Sequence, residues 1–284
     1  MPRLIRPIRE MQRAADTLRR EGKRIALVPT MGALHAGHRS LIRLAVFHAD
    51  VVVVSIFVNP AQFGPGEDFE RYPRDLPGDF AEATGAGAEI IFAPEAAEMY
   101  PENFATSVTV ESLGEILEGK SRPGHFRGVT TVVMKLVSIV RPHAAIFGQK
   151  DAQQVAVIRR MVSDLNIGID IVVGQTVREP DGLAMSSRNS YLSDEERRQA
   201  PALYRALTLA GESIRAGERD AERIRRVLEA SVSSEPSARV EYCSVADAET
   251  LRELTTVTPG TTVLVSAAVW FGSTRLIDNV LIEG

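Results

Sequence analysis

The stretch at positions 51–58 reads VVVVSIFV, and no other segment constrains the fold of this chain as tightly. A strand with one solvated face alternates apolar and polar residues. A run with almost no alternation is buried on both faces, the condition of a parallel sheet covered by helices. Shorter apolar runs at 24–28, 89–92, 144–147 and 167–173 are further strand candidates. Between them Val129, Val132, Val133, Leu136, Val137 and Val140 recur at helical spacing, as do Val155, Ile158, Met161, Val162 and Leu165. Strands alternating with helices over the first 175 or so residues predict a doubly wound α/β sheet.

The last hundred residues read differently. Ser193 followed by Asp194, Glu195 and Glu196 is a helix start, with a capping hydroxyl and acids in the first turn. Leu203, Leu207, Ala210 and Ile214 extend that helix with an apolar stripe, and a second helix is expected over 221–232. Three β-like runs follow Pro236, at 239–245, 261–269 and 275–282. Helices followed by consecutive strands predict a small α+β domain with an antiparallel sheet. A chain of 284 residues is near the length at which a single core divides, so two domains are expected.

Composition narrows the function classes. With 33 basic and 37 acidic side chains and a net charge of −4, a broad nucleic-acid footprint is not expected, although a basic cleft for a small anion is compatible. The single cysteine, Cys243, rules out an intrachain disulfide and Cys-rich zinc sites. No stretch reaches the apolar length of a membrane span. The N-terminus is basic at Arg3, Arg6, Arg9 and Arg13, but Glu10 and Asp16 interrupt the charge. Ile8, Met11, Ala15 and Leu18 share one helical face, so an ordinary amphipathic helix in a cytoplasmic protein is expected rather than a transit peptide.

Positions 29–38 read PTMGALHAGH, directly after the first strand and before a helical stretch carrying Leu41, Ile42 and Ala45. Strand-to-helix turns at the carboxyl edge of a parallel sheet are where such sheets bind ligands. Gly32 and Gly37 permit a sharp turn and a close backbone approach, and the helix start attracts phosphate through its unpaired N–H groups and dipole. His35 and His38, three residues apart, can donate ring N–H groups to the same anion without a permanent charge. Metal ligation is the weaker reading, since no third ligand accompanies them at a recognisable spacing.

Further strings carry chemistry. SIFVNPAQF at 55–63 leaves the second buried strand with two amides, Asn59 and Gln62, which donate and accept and so suit a hydroxy acid. An Asn-Pro turn is the plainer account of Asn59. RPGHFRGV at 122–129 leads into a helix expected to begin near Val129. In FGQKDAQQ at 147–154, Gly148 permits close approach, Lys150 is a compact cation and Asp151 begins a helix whose next turn holds Gln154. Asp151 serves equally well as a plain helix cap. MSSRN at 185–189 sets two hydroxyls and a guanidinium in series at the expected domain junction, as a mobile phosphate clamp.

His-x-Gly-His between strand and helix resembles the signature of the nucleotidyltransferase superfamily. Taken with the other strings in the same order, the segment from Pro29 to His38 is similar to that of the pantothenate synthetase family. The resemblance implies a Rossmann-like domain over 1–176 that binds ATP and pantoate, and a C-terminal α+β lid domain over 177–284. It implies condensation of pantoate with β-alanine through a pantoyl adenylate, releasing pyrophosphate and AMP; the alternative is another adenylyltransferase of the superfamily. The catalytic residues carried over are His35, His38, Lys150 and Arg188. The ATP site takes Pro29, Thr30, Met31, His35, Gly37, His38, Gly148, Lys150, Asp151, Val177, Met185, Ser186, Ser187 and Arg188. The pantoate site takes Met31, Asn59, Gln62 and Gln154. Magnesium is expected with ATP, with Asp79 either a metal contact or an ordinary helix-face residue, since Gly78 stands where relatives often carry a second acid. A homodimer is also implied.

Overall fold

The valine run forms a strand whose residues 51–55 are buried throughout, as its lack of alternation requires. The computed structural model describes all 284 residues. In chain order the elements are β1 (Arg3–Ile5), α1 (Ile8–Arg20), β2 (Ile25–Thr30), α2 (Ala36–Val46), β3 (Val51–Ile56), α3 (Leu76–Gly85) and β4 (Ile90–Phe92). Then come the four-residue helices α4 (Ala96–Met99) and α5 (Glu118–Ser121), α6 (His125–Val140), β5 (Ala144–Gly148), α7 (Ala152–Asp164) and β6 (Asp170–Gly174). The chain closes with α8 (Asp194–Gln199), α9 (Ala202–Arg215), α10 (Ala221–Ser233), β7 (Ala238–Asp247), β8 (Thr262–Phe271) and β9 (Thr274–Glu283). Short 3-10 turns occupy Pro60–Gln62, Gln149–Asp151 and Ser187–Tyr191. No helix is long and apolar enough to cross a membrane.

The chain separates into two compact units: residues 1–148 with 157–175, and residues 149–156 with 176–284. The first is built on a six-stranded sheet in the order β1-β4-β3-β2-β5-β6, parallel at every pairing. Alternate residues of its central strands, Ala26 and Val28, Val52 and Val54, Ala144 and Ile146, meet Ile42 and Ala45 of α2 and Ala83 of α3 in one apolar layer. The intervening Ile25 and Leu27 are equally buried, and α1 and α6 pack on β2. Helices on both faces make this the doubly wound sheet that the alternation predicts. Strand order reverses between β2 and β5, and a crevice at the carboxyl ends of the strands is expected at such a switch.

In the second unit, β7, β8 and β9 form an antiparallel sheet. Its one face, with Val263, Val265, Ala267, Val269 and Phe271 from β8, packs on Leu203, Leu207 and Ile214 of α9 and Ile224 and Leu228 of α10.

Three boundaries differ from expectation for local reasons. The helix expected to run on from Ser193 is two helices: α8 keeps the reciprocal Ser193–Glu196 capping box, but Pro201 has no N–H to continue the ladder, and α9 starts after it. Helix α6 begins at His125, one turn before Val129, with Gly124 at φ 84° just ahead of it. The edge strand β1, three residues long, is too short to leave a periodic signal.

Candidate active site

The strand β2 ends at Thr30, whose hydroxyl donates to the Ser55 carbonyl of β3 at 2.7 Å and accepts from the Gly32 N–H at 3.2 Å. Beyond Met31, Gly32 and Ala33 take positive φ, 89° and 51°, and a non-glycine residue there is strained. Asp79 of α3 holds this turn. Its carboxylate accepts the N–H of Ala33 at 3.0 Å and of Leu34 at 2.7 Å. A Cβ at Gly32 would stand 2.7 Å from an Asp79 oxygen, so glycine is needed for the approach as well as for the dihedral. Asp79 is 4% exposed; burial pushes its carboxyl up, the two backbone N–H groups oppose that, and Asp75 and Glu82 add to it.

The turn delivers His35 as the N-cap of α2. Its Nδ1 accepts from the Gly37 N–H at 3.1 Å, and the Nδ1 of His38 accepts from the His35 N–H at 3.3 Å. This is a capping box made of two histidines. A backbone N–H can only donate, so both Nδ1 atoms are unprotonated acceptors and each neutral ring carries its proton on Nε2. The rings lie side by side, centroids 4.1 Å apart. The cap thus occupies Nδ1 of both rings.

One strand along the sheet, β3 leads into Asn59 and the Pro60–Gln62 turn. Asn59, 1% exposed, accepts from the Tyr100 hydroxyl at 2.8 Å and donates to Gln62 Oε1 at 3.0 Å and to the Gly128 carbonyl at 3.1 Å. With its oxygen occupied, Gln62 aims its Nε2 at the sulfur of Met31, 3.0 Å away. Gln62 thus adjoins both Asn59 and Met31 at the carboxyl edge. Burial holds the Tyr100 hydroxyl protonated, its pKa pushed up to about 12, so Tyr100 donates.

Helix α6 reaches this turn because Gly128 has no side chain: a Cβ there would stand 2.1 Å from the Ala61 carbonyl oxygen. At its N-terminus, His125 donates Nδ1–H to the Gln62 carbonyl at 2.8 Å while its Nε2 faces an Arg122 N–H at 3.1 Å. Arg122 only donates, which sets the tautomer. Burial, joined by the Arg122 charge, pulls His125 down to about 4. Arg122 grips Glu67 through two nitrogens at 2.6 and 2.8 Å. Burial alone would raise Glu67, but Arg122, chief among the groups around the carboxyl and joined by the Gly64 N–H, helps to hold it below its ordinary range. Phe63, Phe69 and Tyr72 pack edge to face under the same loop.

Tyr100 and Glu67 were not legible as site residues. Tyr100 meets Asn59 across 41 positions of sequence, and no local pattern announces such a contact.

The remaining candidates belong to the second unit. Lys150 and Asp151 sit in the Gln149–Asp151 turn that follows β5 and Gly148, and Gln154 lies in the first turn of α7. Val177 and Met185 are joined by a backbone hydrogen bond of 3.0 Å in a small hairpin that also pairs Arg178 with Ala184. Ser186 caps the following turn, accepting from the Arg188 N–H at 3.2 Å. Ser187 and Arg188 follow within that turn. No three His, Cys, Asp or Glu side chains gather closely enough to hold a metal.

A profile of the pantoate-beta-alanine ligase family matches residues 3–281. A pantothenate synthetase of Moorella thermoacetica is 54% identical over 280 residues, 99% of this chain and 98% of the relative. The crystal structure of pantothenate synthetase from Thermus thermophilus superposes with a TM-score of 0.92 at 45% identity, covering 99% of this chain and 100% of that one. A pantoate-beta-alanine ligase from Francisella tularensis, complexed with beta-gamma ATP and beta-alanine, superposes at 0.79 with 33% identity, covering 99% and 98%. The chain belongs to the pantoate-beta-alanine ligase family.

Proposed function

We propose that this protein joins pantoate to β-alanine with ATP in two steps. A carboxylate oxygen of pantoate bonds to the α-phosphorus of ATP as the bond from that phosphorus to the bridging oxygen breaks and pyrophosphate leaves. The amine of β-alanine then attacks the carbonyl of the pantoyl adenylate, AMP departs, and the amine nitrogen loses a proton to give pantothenate.

The observation that carries this reading is the histidine capping box. Pantoate's carboxylate is already ionised, so the first step needs alignment and stabilisation of charge on the phosphates rather than a base. Two neutral rings with Nε2–H fixed by the fold are preorganised donors for that charge. Lys150, Ser186, Ser187 and Arg188 supply the other donors and the cations. Pro29, Thr30, Met31, Gly37, Gly148, Asp151, Val177 and Met185 complete the ATP site. Met31, Asn59, Gln62 and Gln154 bind pantoate, whose methyl groups face apolar side chains around Met31.

In this reading residues 1–176 form the ATP- and pantoate-binding domain and residues 177–284 the lid, and the protein works as a cytoplasmic homodimer. Magnesium enters with ATP, bound chiefly by the phosphates. Contact from Asp79 would use a second lone pair on an oxygen already engaged by Ala33 or Leu34.

Incubation with ATP, labelled pyrophosphate and pantoate, without β-alanine, tests the reading. Label is expected to enter ATP only when pantoate is present. Exchange without pantoate, or none with it, counts against an adenylating pantoate ligase.

A further inference from the structure

The C-terminal sheet carries no recognised motif, yet β9 buries two adjacent polar residues, Asp278 and Asn279, 3% and 5% exposed. Buried polar groups must find partners, and those given for the Asn279 side chain lie on one turn. Its Nδ2 donates to the carbonyls of Gln149 and Lys150 at 3.0 and 2.9 Å, and its Oδ1 accepts from Gln149 Nε2 at 3.0 Å. Behind it, Asp278 accepts the Asn279 N–H at 2.8 Å and the fork of Arg178, which lies over the Tyr204 ring 3.6 Å from its centroid. Burial pushes the Asp278 carboxyl up, while Arg178, the Asn279 N–H and the positive charge of Lys150 act the other way.

We infer that Asn279 is a positioning residue for the adenylation step, holding the Gln149–Lys150 backbone so that Lys150 leaves its turn in a fixed direction. The inference rests on the reading of Lys150 as the phosphate cation. A lysine is a point charge on a flexible stem, so its reach is directed mainly by the backbone that anchors it. Turns of the 3-10 type bond their own carbonyls poorly. Two side-chain N–H bonds to consecutive carbonyls supply the rigidity the turn lacks, and the Arg178–Asp278 pair keeps the strand that bears Asn279 in place.

A double-mutant cycle tests this. Pantoate-dependent pyrophosphate exchange is measured for the wild-type protein, Asn279→Ala, Lys150→Ala and the double variant, each corrected for the folded fraction from thermal unfolding. Misplacement near 1 Å costs on the order of 100-fold, so Asn279→Ala is expected to lower kcat by about tenfold or more with the pantoate KM nearly unchanged. In the Lys150→Ala background the same change should have almost no further effect, because the two act as one unit. Asn279→Asp keeps the shape and removes the donors, so it should show the same loss, and it carries the cycle if the alanine variant does not fold. Equal losses in both backgrounds, or normal kcat in Asn279→Asp, overturn the inference while leaving the role of Lys150 intact. Near-normal exchange in Lys150→Ala overturns that role, and the inference with it.

Discussion

Buried Asp79 and half-buried His125 show how single ionisable groups shape the site without touching the expected reacting atoms. Asp79 satisfies two backbone N–H groups of a turn in left-handed conformation. Asp79→Ala leaves both unpaired, and we expect a stability loss of at least about 1–3 kcal/mol in urea unfolding; an unchanged midpoint would remove Asp79 as the anchor. His125 is neutral when folded, with a pKa near 4 against an ordinary 6.5. Between those values the unfolded chain binds a proton that the folded chain refuses, so stability falls as pH is lowered through this window and is fully present above it. Wild-type protein is expected to lose up to about 3 kcal/mol more than His125→Asn between pH 7 and 4. Asparagine keeps a donor for Gln62 but cannot titrate, so parallel pH profiles would contradict the assignment. For Gln62, whose Oε1 is already taken by Asn59, Gln62→Ala should raise the KM for pantoate far more than that for ATP. Steady-state kinetics showing the reverse would move Gln62 to the nucleotide site.

Among the elements, α6 depends on one glycine. Gly128 lets the helix meet the Pro60–Gln62 turn backbone to backbone, and the Gly128 carbonyl holds Asn59. Gly128→Ala would gain helix propensity in isolation, but it must displace the turn. We expect net destabilisation of about 1–3 kcal/mol, as in overpacked cores, and a raised pantoate KM; a stabilised variant with normal kinetics would show that the contact yields. Elements of this kind also mark what a sequence discloses. The buried strand at 51–55, the helical spacing from Val129 to Val140 and the cap at Ser193 are local patterns and were legible. The His35–His38 pair was legible as a motif at a helix start because its three-residue spacing is itself local. The Tyr100–Asn59–Gln62 chain, the Glu67–Arg122–His125 network and the grip of Asn279 on Lys150 join residues 41 to 129 positions apart. They exist only after the chain has folded.

At the scale of the whole molecule, the first unit builds its candidate residues at the carboxyl edge of a parallel sheet, where β2 and β3 end. Lys150 and the Ser186–Arg188 turn belong to the second unit. The account depends most on the two histidines acting as neutral phosphate donors rather than as mere helix caps. The direct measurement is the rate of pantoate-dependent pyrophosphate exchange in His38→Ala, with thermal unfolding recorded on the same sample. Loss of one preorganised donor in such a site costs about 100- to 1,000-fold, and we expect a fall of that size in kcat with most of the protein still folded. A folded His38→Ala protein exchanging label within a few-fold of the wild-type rate would contradict the account at its centre.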